Sequence, residues 1–333
     1  MATTLSTLLG IIALWWVLRF LPAGADGHRP MPYLIAFVRF LWIPSMVIVT
    51  LAFASRHWIV AVFAAILTLL TGVFASPWYR KQHTSGERGR QATDGRKAQN
   101  TNNSYTAMTL NCRYGLANPQ AIVDAVRGNG VSILALQELT PTLVAELDKA
   151  GMGTLLPYCQ LGKSQKGDNG GFNGIFSRIQ PDAQNGNAID IAAADVPYCD
   201  INGVAVYSAH PKSPMRGCRE WSRGIINLAT LGSHAPGNSA PAAATFPSET
   251  IIMGDLNSNL DHPSFRKLLD EGFDDAGLHA SHGHTASFPQ WLVWPRLELD
   301  HILTTSGIRT SNVSTLAIPG SDHFALLAQL RHI

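Results

Sequence analysis

Three long apolar runs occupy the first part of the chain, at residues 5–21, 33–54 and 58–75. Each is close to the ~20 residues that an α-helix needs to cross a bilayer. The first run has neither a basic start nor a small-residue cleavage site, so an anchor is favoured over a signal peptide. The pattern predicts a transmembrane region of three helices over residues 1–79, in which Arg39 extends its charge toward the membrane surface.

The next stretch, residues 80–103, has no apolar periodicity and consists largely of glycine, polar residues and charges. A segment of this composition buries too little apolar surface to fold, which predicts a flexible basic linker. The linker could touch anionic lipid headgroups, but a solvated tether is the favoured interpretation.

The remaining residues, 104–333, alternate short apolar strands with amphipathic helices, two of which begin at Pro119 and Pro141. This strand–helix order predicts a sheet with parallel character covered by helices. The middle of the domain is more antiparallel, with a hairpin predicted around Asn202-Gly203. The predicted strands cover residues 107–111, 131–136, 189–196, 204–208, 251–254, 296–303 and 324–330, and a further strand is entered through the Gly-rich stretch 170–178.

Polar residues lie at the ends of several predicted strands. In layered α/β folds the loops beyond the carboxyl ends of strands line a crevice, where functional side chains collect. One such residue alone is usually a cap or a surface group, so the prediction rests on their joint occurrence. The set is Asn111, Glu138, His210, Asp255, Asn257, Asp300, Asp322 and His323. Its oxygen donors suit Mg²⁺ or Mn²⁺, and no close His or Cys spacing favours zinc.

These motifs, in this order, resemble the endonuclease/exonuclease/phosphatase superfamily, also called the DNase I-like family, and in particular a membrane-anchored bacterial member. The resemblance covers nearly the whole of the soluble domain. It implies a four-layer α/β sandwich, in which two packed mixed β-sheets are flanked by helices, and metal-dependent hydrolysis of phosphoester bonds. The motifs are Leu110-Asn111, Leu136-Gln137-Glu138, residues 173–178, Ser208-Ala209-His210, Gly254-Asp255-Leu256-Asn257, Leu299-Asp300-His301-Ile302 and Ser321-Asp322-His323.

The resemblance also implies roles for the catalytic residues. Asp255 would orient or deprotonate the attacking water, and Asn257 would help to hold that water and the phosphoryl oxygens. His323 would contact phosphate, with Asp300 fixing its tautomer and raising its pKa. His210 would stabilise charge on phosphate or on the leaving oxygen. His301, next to Asp300, departs from the aromatic or aliphatic residue often found there and receives no role.

The same resemblance implies a metal site and contacts to substrate. Glu138 would be the principal ligand of Mg²⁺ or Mn²⁺, with Asn111 and Asp322 completing the site. Asn173 and Arg178 belong to a motif that would bind substrate.

A basic group after His210 has two interpretations. Its members would either bind substrate phosphates or form a solvated helix face. They are Lys212, Arg216, Arg219 and Arg223.

The remaining histidines and the cysteines leave alternatives open. His279, His282 and His284 could bind a metal, but a polar surface loop is favoured. Four cysteines without metal-binding spacing would be either disulfides in an oxidising compartment or buried thiols. They are Cys112, Cys159, Cys199 and Cys218.

The distribution of charge along the chain helps to choose between a lipid-headgroup substrate and nucleic acid. Residues 1–99 hold 10 of the 25 Lys and Arg residues but only 3 of the 23 acidic residues. Residues 100–333 therefore carry a net charge of about −5, although the whole chain carries +2. An acidic domain is a poor general polyanion binder, which favours membrane lipids as partners and a lipid-headgroup substrate over nucleic acid.

The sequence thus predicts a multi-pass protein of the cell membrane that hydrolyses phosphoesters, with a DNase- or RNase-type nuclease as the alternative. A non-catalytic scaffold that keeps the fold is disfavoured, because no expected metal ligand is missing. The side of the membrane stays open. The positive-inside rule favours a cytoplasmic domain, whereas the resemblance to bacterial relatives favours an external one.

Overall fold

The computed structural model describes residues 1–75, 104–165, 167, 170–232, 247–280 and 285–333. The predicted linker at residues 80–103 lies outside the described residues, as do His282, His284 and the side chain of His279. The helices are α1 (Ala2–Val17), α2 (Met31–Ala36), α3 (Trp42–Ala54), α4 (Trp58–Ala75), α5 (Pro119–Gly128), α6 (Pro141–Lys149), α7 (Met152–Leu155), α8 (Cys218–Leu228), α9 (Pro263–Asp270) and α10 (Ala276–Ala280). The strands are β1 (Ser104–Asn111), β2 (Ile133–Leu139), β3 (Tyr158–Leu161), β4 (Phe172–Ser177), β5 (Ala183–Asn185), β6 (Tyr198–Ile201), β7 (Val204–Ser208), β8 (Glu249–Asp255), β9 (Asp274–Asp275), β10 (Asp300–Thr304), β11 (Ile308–Ala317) and β12 (Phe324–His332).

Two helical stretches of the described chain, Ala2–Phe20 and Trp58–Ala75, are long and apolar enough to cross a membrane. The second predicted span, residues 33–54, is not one helix. It is divided into α2, a 3₁₀ turn at Val38–Phe40 and α3. Its first part packs against the folded domain, where Ile35 is fully buried. Two of the three expected spans therefore keep the length that crossing requires, and the second does not.

Arg39 lies at this break, and its guanidinium is buried. Its Nε donates to Oδ2 of Asp261 at 3.1 Å, and its Nη1 pairs with Glu298. Arg19 pairs with the other carboxylate oxygen of Asp261, also at 3.1 Å. A buried guanidinium needs carboxylates to neutralise it. The prediction that Arg39 extends toward the membrane surface is therefore wrong, since its charge is directed into the folded domain.

Further polar contacts hold the same part of the chain, residues 19–41, which we call the docked segment. The buried carboxylate of Asp26 accepts hydrogen bonds from the backbone N–H and the hydroxyl of Ser264, at 2.9 and 2.5 Å. The ring of His262 lies 2.9 Å from the carbonyl oxygen of Pro32. The docked segment and the domain surface beneath it thus share a desolvated polar interface, which fixes their relative position.

Two six-stranded sheets pack face to face in the folded domain, in the orders β11-β12-β1-β2-β4-β3 and β5-β6-β7-β8-β10-β9. Each contains one parallel pair, β1 with β2 and β7 with β8, among antiparallel neighbours. Buried aliphatic residues such as Ile133, Val206 and Ile302 fill the space between the sheets. Helices α5 and α6 cover the first sheet, and α8 and α9 cover the second. The expected four-layer sandwich is confirmed.

The hairpin around Asn202-Gly203 is confirmed, with φ of 55° and 76° at its two central residues. Its first strand is β6, however, and the prediction of a strand at residues 189–196 is wrong. Polar side chains take backbone donors in that region: Asn187 accepts the N–H of Val196 at 3.0 Å, and Asp195 accepts that of Lys163 at 2.9 Å. Local side-chain bonds of this kind compete with a strand ladder.

Candidate active site

The topology brings polar residues from both sheets to one edge. Asn111 ends β1, and Glu138 lies near the end of the parallel strand β2. Strand β12 runs antiparallel to β1, so His323, just before its start, reaches the same edge. In the second sheet β10 begins at Asp300, which lies opposite Asp255 at the end of β8. The ends of β1, β2 and β8 and the starts of β10 and β12 therefore lie at the same crevice.

The carboxyl end of β8 depends on a glycine. Gly254 has a φ of 151°, and a Cβ there would lie 1.9 Å from the carbonyl oxygen of Ala209. At the last residue of β8, Oδ1 of Asp255 accepts the backbone N–H of Asn257 in the following turn at 2.8 Å. The other oxygen, Oδ2, lies 3.6 Å from Nε2 of His210. The side-chain amide of Asn257 lies 3.3 Å from the same nitrogen. The turn therefore gathers a carboxylate, an amide and an imidazole.

The second imidazole is held by a carboxylate. Nδ1 of His323 lies 2.7 Å from Oδ2 of Asp300, and its Nε2 lies 3.7 Å from Oδ2 of Asp255. Two serines fix the backbone of the pair, since Oγ of Ser321 accepts the N–H of His323 at 2.9 Å and Oγ of Ser287 accepts that of Asp300 at 3.1 Å. Nδ1 is thus occupied, and Nε2 is directed at the crevice.

The carboxylates around His323 favour its protonated form. Burial by itself lowers the pKa of His323, but the carboxylates of Asp300, Asp255 and Asp322 outweigh burial and raise that pKa to about 10. Ligand atoms of Asp255, Asp300 and His323 lie within 4.8 Å of one another, a spacing that a metal ion could bridge. Binding of a metal by His323 would require its ring to lose a proton, because a protonated imidazole has no lone pair to offer.

Glu138 and Asn111 lie beside this cluster. Glu138 has a φ of 54°, a left-handed conformation that is unusual for a residue with a side chain. Its Oε2 accepts the backbone N–H of Tyr114 at 2.7 Å, and its Oε1 accepts from the amide of Asn111 at 3.2 Å. The same amide donates to Oδ2 of Asp255 at 3.0 Å. Asn111 therefore links the predicted metal ligand to the predicted water-binding carboxylate.

The third predicted ligand, Asp322, is connected to this pair through Arg113. Oδ2 of Asp322 lies 3.7 Å from Nε of Arg113, whose backbone N–H donates to Oδ1 of Asn111 at 2.8 Å. Asp322 is half-buried, whereas Glu138 and Asn111 are buried. Two carboxylates and an amide form a hard oxygen donor set, and its chemistry fits Mg²⁺ or Mn²⁺.

Two of the predicted substrate-binding residues, Asn173 and Arg178, lie at opposite ends of β4. Asn173 is buried on β4 and donates to the carbonyl oxygen of Asp195 at 2.8 Å. Arg178 follows β4 at the far end of the sheet from Glu138, where its Nη2 donates to the carbonyl oxygen of Val131 at 2.9 Å. The structure does not bring Arg178 to the crevice.

The basic group after His210 lies mainly at the surface. Lys212 is half-buried in the loop that follows His210, and Arg216 is exposed further along it. Arg219 and Arg223 are exposed on α8. Their exposure is compatible with both of the sequence interpretations, substrate phosphates and a solvated helix face.

Several residues of this region had no signal in the sequence. Ser287 and Phe288 lie in a stretch without hydrophobic periodicity, yet Ser287 bonds the backbone of Asp300, and the ring of Phe288 lies 4.8 Å from that of His323. Ser321 was visible only as part of the motif that contains His323.

His301, which the resemblance leaves without a role, forms a second histidine–aspartate pair. Its Nδ1 lies 2.6 Å from Oδ2 of Asp275, and its Nε2 lies 2.8 Å from the carbonyl oxygen of Ser258. Burial lowers the pKa of His301, but Asp275 and the other hydrogen-bond partners outweigh burial and leave that pKa raised. Both ring nitrogens are therefore used within the protein.

The cysteines are free thiols in this structure, so the disulfide alternative has no support from the fold. Cys112, Cys199 and Cys218 are buried, and Cys159 is exposed. Burial raises the pKa of the Cys112 thiol well above its usual range, with a further contribution from Glu138. Cys112 thus behaves as a core residue beside the crevice.

Comparison with known proteins agrees with this architecture. A sequence model of the Endonuclease/Exonuclease/phosphatase family matches residues 108–323, which is more than half of the chain. No curated protein sequence gives a significant match.

Solved structures share the fold at low sequence identity. TDP2 from D. rerio complexed with single strand DNA product superimposes with a TM-score of 0.53 and 14% identity, covering 68% of this chain and 99% of that one. An endonuclease/exonuclease/phosphatase family protein from Leptotrichia buccalis gives 0.51 and 15%, with 67% and 98% covered. The endonuclease/exonuclease/phosphatase from Bacteroides vulgatus gives 0.51 and 14%, with 69% and 99% covered. The chain therefore belongs to the endonuclease/exonuclease/phosphatase family, whose members are divalent-metal-dependent hydrolases of phosphoester bonds.

Proposed function

We propose that this chain is a membrane-anchored phosphoesterase that hydrolyses phosphodiester bonds in lipid headgroups. One observation carries the proposal: Oδ2 of Asp255 lies between two imidazole nitrogens, 3.6 Å from Nε2 of His210 and 3.7 Å from Nε2 of His323. A carboxylate between two imidazoles, one of them cationic, can hold a water and an anionic phosphoryl group side by side.

The catalytic residues divide the work between nucleophile and phosphate. Asp255 accepts a proton from the attacking water as the water oxygen forms its bond to phosphorus. His323, held as an imidazolium by Asp300, donates a hydrogen bond from Nε2 to a phosphoryl oxygen. His210, with the amide of Asn257 beside it, stabilises negative charge on the leaving oxygen as its bond to phosphorus breaks.

The metal would be held by Glu138, with Asn111 and Asp322 completing the donor set. A bound Mg²⁺ or Mn²⁺ would neutralise phosphate charge and polarise a phosphoryl oxygen. Residue Glu138 is only 8% exposed, and its carboxylate is oriented by the backbone N–H of Tyr114. Such a fixed carboxylate is suited to act as the principal ligand.

The lipid-headgroup substrate is supported by the two apolar helices and by the acidic domain. A nuclease is the second candidate, favoured by the exposed side chains of Arg216, Arg219 and Arg223 in the loop and helix that follow His210. Either substrate class presents a phosphodiester to the same catalytic groups, so the chemistry proposed above does not depend on the choice.

Glu138→Gln tests the phosphoesterase itself. In the full-length protein it should lower Mg²⁺-supported hydrolysis of bis(p-nitrophenyl) phosphate by about 100-fold or more, because the principal ligand loses its charge. Glu146→Gln, on the exposed face of α6, is the matched control and should retain activity. Full activity of Glu138→Gln, or of the unaltered enzyme in excess EDTA, would refute the metal assignment.

The substrate class is then decided by parallel assays of the full-length protein. Release of phosphorylated headgroups from phospholipid vesicles, without cleavage of plasmid DNA, is the expected result. Cleavage of plasmid DNA without release of headgroups would favour the nuclease.

A further inference from the structure

Four consecutive large apolar residues are exposed in the stretch that precedes β10. The exposed fraction is 65% for Trp291, 38% for Leu292, 91% for Val293 and 52% for Trp294. A folded domain rarely leaves neighbouring large apolar side chains in water, and a contiguous patch of this kind marks an interaction surface. We call residues 289–295 the tryptophan loop.

The tryptophan loop is joined directly to the catalytic histidine. The ring of Phe288, just before the loop, lies 4.8 Å from the ring of His323 and 5.8 Å from that of Trp291. Gln290, inside the loop, donates its backbone N–H to the carbonyl oxygen of Asp322 at 2.7 Å and its side-chain amide to that of His323 at 3.0 Å. The position of the loop is therefore tied to the position of the active site.

The other end of the loop continues the apolar surface of the N-terminal helices. The ring of Trp294 packs edge-on against Phe40, with 5.5 Å between ring centroids. Phe37, Trp42 and Val47 are exposed next to this contact or further along α3. A shallow apolar groove runs between the loop and the helices. It is lined by Trp294 and Pro295 on one side and by residues such as Phe37, Phe40 and Ile43 on the other.

The buried ion pairs keep these two apolar surfaces together. Arg39, the neighbour of Phe40, pairs with Glu298, which follows Trp294 by four residues. Separating a buried ion pair leaves uncompensated charges, so the contact between the docked segment and the tryptophan loop is a fixed one. The loop therefore cannot move far from the helices that would enter the bilayer.

We propose that the tryptophan loop inserts into the headgroup region of the bilayer that holds α1 and α4. Residues 289–295 carry no charge, and tryptophan prefers the membrane–water interface, where its ring and its N–H are both accommodated. Because the loop continues an apolar surface made by the helices themselves, a lipid bilayer is its partner. Insertion holds the crevice of His323 at the level of lipid phosphates, a consequence that rests on the proposed function.

The depth of residue 293 tests the insertion without any assay of activity. Val293→Cys is prepared in the full-length protein with the exposed Cys159 replaced by serine, labelled with an environment-sensitive fluorophore and placed in nanodiscs that hold one copy each. Lipids spin-labelled near the headgroup should quench this label strongly. Arg127→Cys, at the opposite edge of the domain on α5, is the matched control and should not be quenched.

Two outcomes would overturn the proposal. One is equal, weak quenching at positions 293 and 127. The other is shielding of the label at 293 only when a disc holds two copies, which would make the loop an interface between protein chains. Neither outcome depends on catalysis, so failure of the membrane contact is distinguishable from failure of the proposed function.

A kinetic test measures what the insertion does. Leu292→Ser combined with Val293→Ser should lower the hydrolysis of a headgroup phosphodiester in vesicles by about tenfold or more. The reason is that two apolar side chains are no longer buried in the bilayer when the loop inserts. Hydrolysis of bis(p-nitrophenyl) phosphate should stay unchanged. Ile333→Ser, an exposed apolar residue at the far end of β12, should change neither rate. Equal loss on both substrates in the loop variant would contradict the proposal.

Discussion

Two histidine–aspartate pairs begin at neighbouring residues of β10, and only one of them faces the crevice. Asp300 holds His323 with 2.7 Å between Oδ2 and Nδ1, and His301 is held by Asp275 with 2.6 Å between the corresponding atoms. The pairs differ at the other ring nitrogen. Nε2 of His301 bonds the carbonyl oxygen of Ser258 at 2.8 Å, whereas Nε2 of His323 lies 3.7 Å from Asp255 and is outside hydrogen-bond range of it.

The comparison shows that a buried histidine held by a carboxylate is not by itself a catalytic group. Both side chains are buried, and both have a raised pKa. In one pair the protein uses both nitrogens, so the imidazolium ties β10 to the loop after β8. In the other pair the second nitrogen is left for a ligand. In the proposed mechanism, the direction of this one N–H separates the catalytic role of His323 from the structural role of His301.

The largest effect is expected at His323. His323→Gln should lower kcat for a soluble diester by about 100- to 1,000-fold, since a preorganised donor to the phosphoryl oxygen is lost. His301→Gln is the matched control and should keep kcat within about threefold of the unaltered enzyme, because no substrate atom reaches it. Steady-state kinetics on bis(p-nitrophenyl) phosphate make the comparison. An equal loss of kcat in both variants would remove the distinction drawn between the pairs.

Asp300→Asn should give the next largest effect, a fall in kcat of about 100-fold with little change in KM, because the carboxylate acts on the charge and tautomer of His323. Asp275→Asn makes the same change in the other pair and should leave kcat nearly intact. A raised KM with an unchanged kcat in Asp300→Asn would show that this carboxylate serves binding or structure instead.

Asp275→Ala should affect stability more than activity. Removing the carboxylate leaves the buried ring of His301 without its ionic partner, which costs about 3–5 kcal/mol of unfolding free energy. Asp124→Ala breaks the exposed pair with Arg127 and should cost less than about 1 kcal/mol. Thermal unfolding of the two variants in the same detergent checks the difference, and similar Tm values would contradict it.

The smallest expected effect is a change with pH in the stability that the pair of His301 and Asp275 contributes to the folded protein. Burial lowers the pKa of His301, but the carboxylate of Asp275, the carbonyl oxygen of Ser258 and the carboxylate of Asp300 together raise it above the usual value. A raised folded-state pKa gives a stabilisation that is complete below the unfolded-state pKa of about 6.5 and is lost as pH rises through the folded-state value.

The difference in Tm between the unaltered protein and His301→Gln should therefore be larger at about pH 6 than at about pH 9. Thermal unfolding at both pH values measures it. A difference that stayed constant or grew with pH would mean that the His301 ring is neutral in the folded protein.

The sequence supports prediction of the crevice because its residues lie at the ends of apolar strands. Strands of this length have a readable alternation or apolar run, and their carboxyl ends share one edge of a sheet. Asp255 and His323 were found in this way. The pair of His301 and Asp275 was not, because 26 residues separate its members and neither lies in a motif that predicts their contact.

The docked segment shows a second limit. Apolar residues such as Ile35 bury equally well in lipid and in protein, so their pattern does not distinguish a membrane span from a segment packed on a domain. Arg39 could be assigned only with its partners, which lie 222 and 259 residues further along the chain. The exposed tryptophan loop likewise has no periodic pattern that would have predicted its place beside the crevice.

The separation of Arg39 and Glu298 along the chain also matters during synthesis of the protein, because the two residues are made at different times. Synthesis at about 5–20 residues per second leaves an interval of about 10–50 s between the appearance of the two residues. During that interval Arg39 lacks Glu298, one of the two acids that enclose it in the folded chain. A nascent chain arrested before residue 298 should therefore leave the cysteine of Ile35→Cys open to a water-soluble thiol reagent, and the finished chain, in which residue 35 is buried, should protect it. The docked segment is thus completed by residues that are made long after it.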